Sequence, residues 1–255
     1  MDILILGMLF LAGLLAGVSN AVAGGGAFFT FPVFLAAGLP PIVANASNCI
    51  AVWPANALAV VGYRNVLRKH ARGIGNSILI ALLGGGLGAG TLVLTGNTAF
   101  VKLIPFLILF ATLLFAFGSR FSGMIASYTR NQSVTSPGLV TRFLVFIVAF
   151  YGGYFGAGLG VMLMAGLRML GVHDIQANNA LKNLLASAAT SVALVIFTFS
   201  GIVAWPYALT AFAGAVIGGL LGARIAQWLP AVYFRGVIIV IGMFLSVYYF
   251  IKYYG

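Results

Sequence analysis

The sequence predicts an all-α polytopic membrane protein made of two inverted-topology repeats of about five helical segments each, with broken or short helices at the glycine-rich positions. Three observations carry that expectation. The 255 residues are 62% hydrophobic and only 6% charged, with a mean hydropathy of +1.14, whereas a soluble domain carries about 25% charged residues to dress its surface. Apolar stretches of helix length follow one another along the whole chain. The chain also aligns with itself, residues 17–116 falling on 151–250 without a gap. This composition argues against a soluble enzyme, a nucleic-acid binder and a disordered scaffold. Cys49 is the single cysteine, which excludes an internal disulfide and a thiolate metal cluster.

A bilayer core about 30 Å thick needs roughly 20 apolar residues per crossing helix. The stretches 43–63, 75–95, 101–119, 178–200, 203–228 and 232–251 read as ordinary spans. Those at 2–16, 141–154 and 157–171 fall short, and each abuts a glycine-rich interruption; 19–37 is interrupted by Gly24-Gly25-Gly26 and by Pro32. Ala21-Val22-Ala23 resembles a signal-peptide cleavage site. The residues before the apolar stretch hold Asp2 and no cation, however, so the segment is expected to be retained. Residues 119–141 are the extended polar stretch and read as a cytoplasmic linker between a first repeat (1–118) and a second (142–255).

Orientation follows from the cations. With Arg64, Arg68, Lys69 and Arg72 in the cytoplasm, alternating crossings put Arg120, Arg130, Arg142, Arg168, Arg224 and Arg235 there too, leaving Lys102 and Lys252 outside. That one-sided excess is what the positive-inside rule demands. Both termini are then expected outside the cytoplasm. Trp205, Tyr207, Trp228, Tyr233, Tyr248, Tyr249, Tyr253 and Tyr254 read as an interfacial belt.

In the self-alignment Ala23-Gly24 falls on Ala157-Gly158, Gly26 on Gly160 and Asn45-Ala46 on Asn179-Ala180. Gly84-Gly85 likewise falls on Gly218-Gly219, and Gly88-Ala89 on Gly222-Ala223. Glycines and asparagines coincide, not merely one aliphatic with another. Five segments per half is an odd number, so the two copies must enter the membrane in opposite senses. The loop 64–73 is basic and its counterpart 198–206 uncharged, as inverted-repeat transporters require.

Two glycine-rich breaks, 17–26 and 152–160, occupy equivalent places. Unwound backbone at membrane depth persists only where protein or water satisfies its polar groups. Helices that start after such breaks present free N–H groups and a partial positive charge, which suits an anion. Gly24, Gly25, Gly26, Gly158 and Gly160 are therefore candidate binding residues, together with Asn20. Gly84, Gly88, Gly218 and Gly222 read instead as close helix packing.

Asn45 and Asn48 share one helix face, as do Asn179, Lys182 and Asn183. Amide groups donate to oxyanions without carrying charge, and an ionisable residue inside a bilayer is a functional candidate. The competing readings are helix capping by Asn178 and Asn179 and snorkelling of Lys182 to the interface. Ser19, Trp53, Asn56 and Thr190 are weaker candidates. The acids are Asp2 and Asp174 alone and the histidines His70 and His173, so no span offers a carboxylate for proton coupling. No metal site, cofactor or enzymatic activity is expected. An anion leaving a negative interior gains about 2.3 kcal/mol per charge per 100 mV, so export needs no coupling ion.

The glycine-rich break followed by Pro32, the turn Gly38-Leu39-Pro40 and the Ala-rich helix after it recur in outline in the second half. This pattern resembles the TauE/SafE sulfite-exporter family of bacterial membrane permeases over nearly the whole chain. Ala23-Gly24-Gly25-Gly26 and Pro32 fit that family's glycine run and proline. The second copy departs from it, with Gly158-Leu159-Gly160 in place of the full run and Gly166 where a proline would stand. The resemblance implies transport of sulfite, sulfoacetate or related organosulfonates, often outward, across a bacterial plasma (inner) membrane. The expected function is export of such a small anion by alternating access; a passive small-anion channel and a carboxylate permease are the alternatives. The expected partners are the anion and the lipid bilayer, without nucleic acid, in a monomer or homodimer.

Overall fold

The structure, a computed structural model, describes residues 3–22, 24–70, 73–125, 138–225 and 231–255, with side chains for all of these but 22, 118–125, 223–225 and 231–234. Among the described residues every regular element is an α-helix. In the first half these are α1 (Ile3–Val22), α2 (Ala27–Ala36), α3 (Pro41–Gly62), the short α4 (Arg64–His70) and α5 (Gly75–Ile125). In the second they are α6 (Leu139–Tyr154), α7 (Leu159–Met169), α8 (Ile175–Phe199), α9 (Trp205–Ile225) and α10 (Ala231–Tyr254). Gly96, with φ of 70°, divides α5 into two spans.

Ile3–Ala21, Gly75–Phe117, Ile175–Phe199, Trp205–Gly222 and Arg235–Tyr254 are long and apolar enough to cross a bilayer. Large apolar side chains face outward along them, Leu94 at 87% and Phe244 at 68% exposure, which only a lipid surrounding accommodates. The chain is an all-α polytopic membrane protein. Local chemistry sets several starts: Pro41 opens α3 at a position where no N–H is needed, and Asp174 caps α8 by accepting from the Ala177 N–H at 2.7 Å.

Two expectations change. The N-terminal segment is not short: α1 runs 20 residues, about 30 Å of helix. The interruption expected over 17–26 narrows accordingly to the neighbourhood of Gly24–Gly26, and that over 152–160 to Phe155–Gly158. Isolated glycines do not stop α1, because they are where α9 presses in. A Cβ on Gly13 would stand 2.0 Å from the Ala211 oxygen, and one on Gly17 2.3 Å from that of Ala215. Where the chain does break, Gly24, Gly25, Gly156 and Gly158 take φ of 79–85°, a conformation that glycine adopts without steric cost.

Rising residue numbers meet along both close helix pairs, so each pair runs parallel: Gly13 and Gly17 against Ala211 and Ala215, Gly84 and Gly88 against Phe146 and Phe150. Gly84, Gly88, Gly218 and Gly222 are packing glycines, as the sequence predicts. A Cβ on any of the four would lie within 3.0 Å of an atom of the neighbouring helix.

The turns sort onto two faces. Leu67 and Ile74 join Leu167, Leu170, Val172 and Leu181 in one apolar cluster, which puts α4 and the start of α5 beside the turn 170–174. On the other face the Ile42 N–H donates to Asn97 Oδ1 (3.2 Å), the Ala204 N–H to Ser47 Oγ (2.9 Å) and the Tyr254 hydroxyl to the Lys102 carbonyl (3.0 Å). Arg64, Arg68, Lys69, Arg142, Arg168 and Arg235 thus belong to the first face, and Lys102 and Lys252 to the second. Helices α1 and α2 form a hairpin entering from the second face, α6 and α7 one from the first, and the tips touch: a Cβ on Gly24 would be 3.6 Å from the Gly160 Cα.

Adding 134 to the bounds of α3 gives 175–196, against 175–199 for α8; α2 maps to 161–170, against 159–169 for α7. Asp2, Ala23, Arg72, Arg130, Trp228 and residues 126–137 of the linker lie outside the described residues, as do the side chains of Arg120, Ala223, Arg224 and Tyr233. The ends of the linker, 119–125 and 139–141, continue α5 and begin α6.

Candidate functional site

Where the hairpin tips meet α3 and α8 they enclose a cavity of about 40 Å³. One water needs roughly 10–15 Å³ on that measure, so about three water-sized groups fit. Its wall combines the first break (Asn20, Gly24, Gly25, Gly26), the second (Gly156, Leu159, Gly160), α3 (Asn48, Cys49, Trp53, Asn56) and α8 (Lys182, Thr190). Nothing lining it is acidic.

Lys182 dominates the electrostatics. It is 2% exposed, its stem lies against Gly160, and its ammonium donates to the Asn20 carbonyl at 3.3 Å. Asp174, the one acid among the described residues, is occupied at the α8 cap, so the ammonium has no carboxylate beside it. Such a charge is costly to bury unless a counter-charge joins it.

Two of the three lining asparagines, Asn20 and Asn48, are held with their oxygens already taken. Asn20 Oδ1 accepts from the Gly26 N–H at 2.9 Å, and Asn48 Oδ1 accepts a short hydrogen bond from the Thr30 hydroxyl. What each has left for the cavity is its N–H₂ group, a donor. Thr190 donates its proton along its own helix to Ala186. In the first turn of α7, the Gly160 and Val161 N–H groups have no backbone acceptor among the described residues. The wall therefore offers several donors and one cation with no carboxylate, which fits an oxyanion.

Of the residues singled out in the sequence, Asn20, Gly24, Gly25, Gly26, Asn48, Gly160 and Lys182 come together here. Asn45, Gly158, Asn179 and Asn183 do not line the cavity. Asn45 is spent on structure, its N–H₂ donating to the Tyr154 carbonyl at 2.9 Å while its Oδ1 is buried without a partner. Gly158 supplies the left-handed turn before α7. Asn179 is half-buried and Asn183 buried on flanks of α8 away from the cavity wall. Asn178 does not cap α8; it donates to the carbonyls of Met164 and Val172 and ties down the end of α7.

Trp53, Asn56 and Thr190, weaker candidates by sequence, do line it; Ser19 instead closes the first break by donating to the Gly24 carbonyl. Sequence reasoning missed Cys49. The signal was available: positions 48, 49, 52, 53 and 56 make one helical stripe. Among the described residues no group of three His, Cys, Asp or Glu comes together.

Broken helices that meet inside a bilayer around a polar cavity define a membrane transport protein. The chain matches the family Sulfite exporter TauE/SafE over residues 9–249 and belongs to it. It is similar to a probable membrane transporter protein of Haemophilus influenzae (30% identical over 252 residues, 95% of this chain and 93% of the relative). It is also similar to the probable membrane transporter protein ORF9 of a Sinorhizobium species (26% over 243 residues, 95% and 91%) and to the probable membrane transporter protein YfcA of Escherichia coli (25% over 246 residues, 95% and 88%). No solved structure matches the chain. The protein is a membrane transporter of this family.

Proposed function

We propose that this transporter exports a small sulfur oxyanion or organosulfonate, with sulfite or sulfoacetate as the type substrate, across a bacterial inner membrane by alternating access. The observation that carries this reading is the buried Lys182 ammonium, without a carboxylate, in a cavity where Asn20 and Asn48 present donors. The size of the cavity favours an ion with few non-hydrogen atoms in the conformation described. The substrate-binding set is Asn20, Asn48 and Lys182, with the Gly25 and Gly160 N–H groups, those of Gly24 and Gly26 being spent on the Ser19 carbonyl and Asn20 Oδ1; Asn45 and Gly158 hold the frame around it.

The recurrence of helix bounds at 134 residues, with corresponding turns on opposite faces, supports two inverted repeats (1–118 and 142–255) about a linker at 119–141. The cation-rich face is then cytoplasmic and both termini lie outside. Rocking of one repeat against the other exposes the cavity to each side in turn. Efflux from proteoliposomes tests the substrate: sulfite and sulfoacetate leave, and taurine does not, because its ammonium finds no carboxylate and shares the cavity with Lys182. Taurine efflux without sulfite efflux refutes the reading.

A further inference from the structure

The cavity-lining residues pair under the same shift of 134: Asn48 with Lys182, Asn56 with Thr190, Gly26 with Gly160. Their depths follow from the helices that carry them. Asn48 lies seven residues into α3 from the end on the cation-poor face, and Lys182 seven residues into α8 from the end on the cation-rich face. Each is thus about 10 Å in along its helix from its own face. The 22 residues of α3 rise about 33 Å, so the two backbone levels are roughly 12 Å apart. The side-chain contacts agree. Lys182 reaches the Asn20 carbonyl, deep in α1 as counted from the cation-poor face, whereas Asn48 meets Thr30, six residues from the end of α2 on that face.

Equivalent positions therefore hold donors of unequal strength. Resting on the anion-transport reading above, we propose that the cavity contains two oxyanion subsites related by the repeat. The charged one, at Lys182 with the Asn20 amide, lies nearer the cation-rich face; the uncharged one, at Asn48, lies nearer the opposite face. The substrate passes between them. The charged subsite captures the anion on the side with the greater cation density, and the neutral one holds it weakly enough to let it go on the other. The electrochemical gradient sets the direction of net flux, and the difference of a full charge makes the half-saturating concentration lower on the cation-rich face than on the other.

The test uses sulfite as the probe, with calorimetric titration of the full-length purified protein and efflux from proteoliposomes. Lys182→Asn should weaken sulfite binding by about tenfold or more, the usual gap between charged and neutral hydrogen bonds. Adding Asn48→Lys to it should restore affinity to within about threefold of wild type, because the charge returns at the equivalent position. Asn48→Lys alone should bind the one sulfite the cavity holds more tightly, by about tenfold or more, with a cation at each subsite, and slow efflux. The proposal is overturned if the double variant melts like wild type yet stays as weak as Lys182→Asn. It is equally overturned if Asn48→Lys binds sulfite with unchanged affinity, a readout that decides even where the double variant does not fold. Wild-type protein that binds no sulfite refutes the substrate reading itself, and the two subsites with it.

Discussion

Replacing Lys182 with methionine separates binding from folding more cleanly than truncation does. The two side chains are similar in length, so the channel beside Gly160 stays filled, while the ammonium and its hydrogen bond to the Asn20 carbonyl disappear. A hydrogen bond from a charged group contributes about 1.5–3 kcal/mol, and each 1.4 kcal/mol is about tenfold in affinity. Sulfite affinity should therefore fall by roughly 10- to 150-fold. Stability should hardly move. Leaving the Asn20 carbonyl unpaired costs about 1–3 kcal/mol, but removing a charge that is 2% exposed and faces no carboxylate returns an amount of the same order. The assay is calorimetric sulfite titration beside a thermal melt, both in detergent. Wild-type affinity in Lys182→Met would refute the assignment of the lysine to the anion. A melting temperature lowered by more than ten degrees or so, with affinity retained in the folded fraction, would make Lys182 a structural staple instead.

Gly153→Ala should destabilise by about 2–3 kcal/mol, at the severe end of overpacking, because the new Cβ would sit 2.0 Å from the Gly85 carbonyl oxygen. Gly90→Ala meets nothing within 4 Å and should be neutral or stabilising by up to about 1 kcal/mol; equal effects on thermal unfolding would refute the packing account. Asn45→Ala should cost about 1–2 kcal/mol by stripping the Tyr154 carbonyl of its donor, yet leave the sulfite dissociation constant within about twofold; a larger change in binding would return Asn45 to the site. Asp174→Ala should remove about 1 kcal/mol with the cap of α8 and leave sulfite efflux rates intact, as flux assays on matched protein amounts would show.

The spans, their glycine seams and the two breaks are legible in the sequence because each follows from local chemistry: apolar length, small residues at helical spacing, and glycine where φ turns positive. The length of α1 was not. Gly13 and Gly17 read equally well as helix breakers or as seats for a neighbour, and only contact with Ala211 and Ala215 decides. Depth was hidden for a similar reason. Asn45 and Asn48 lie three residues apart on nearly one face, but that single turn moves Asn45 out from the cavity wall and under the tip of the second hairpin. Face periodicity gives a direction around the helix, while the choice between cavity and hairpin tip depends on where another segment ends.

That single turn also links the frame to the site. The two carbonyls that the broken hairpins leave at their tips are equivalent, Tyr154 standing 134 residues after Asn20. Each is met by a donor from the long helix of the opposite half: Asn45 for Tyr154, Lys182 for Asn20. The donors are not equivalent, since Lys182 corresponds to Asn48 and Asn45 to Asn179. Acceptors that follow the repeat, served by donors that do not, leave one hairpin fastened by a buried neutral amide and the other by an ammonium that also lines the cavity. Under the anion transport proposed above, an anion that draws the ammonium toward itself would compete with the Asn20 carbonyl, while the hydrogen bond at Tyr154 would be untouched. On that proposal the hairpin coupled to substrate is α1–α2, the one whose tip carbonyl shares its donor with the cavity.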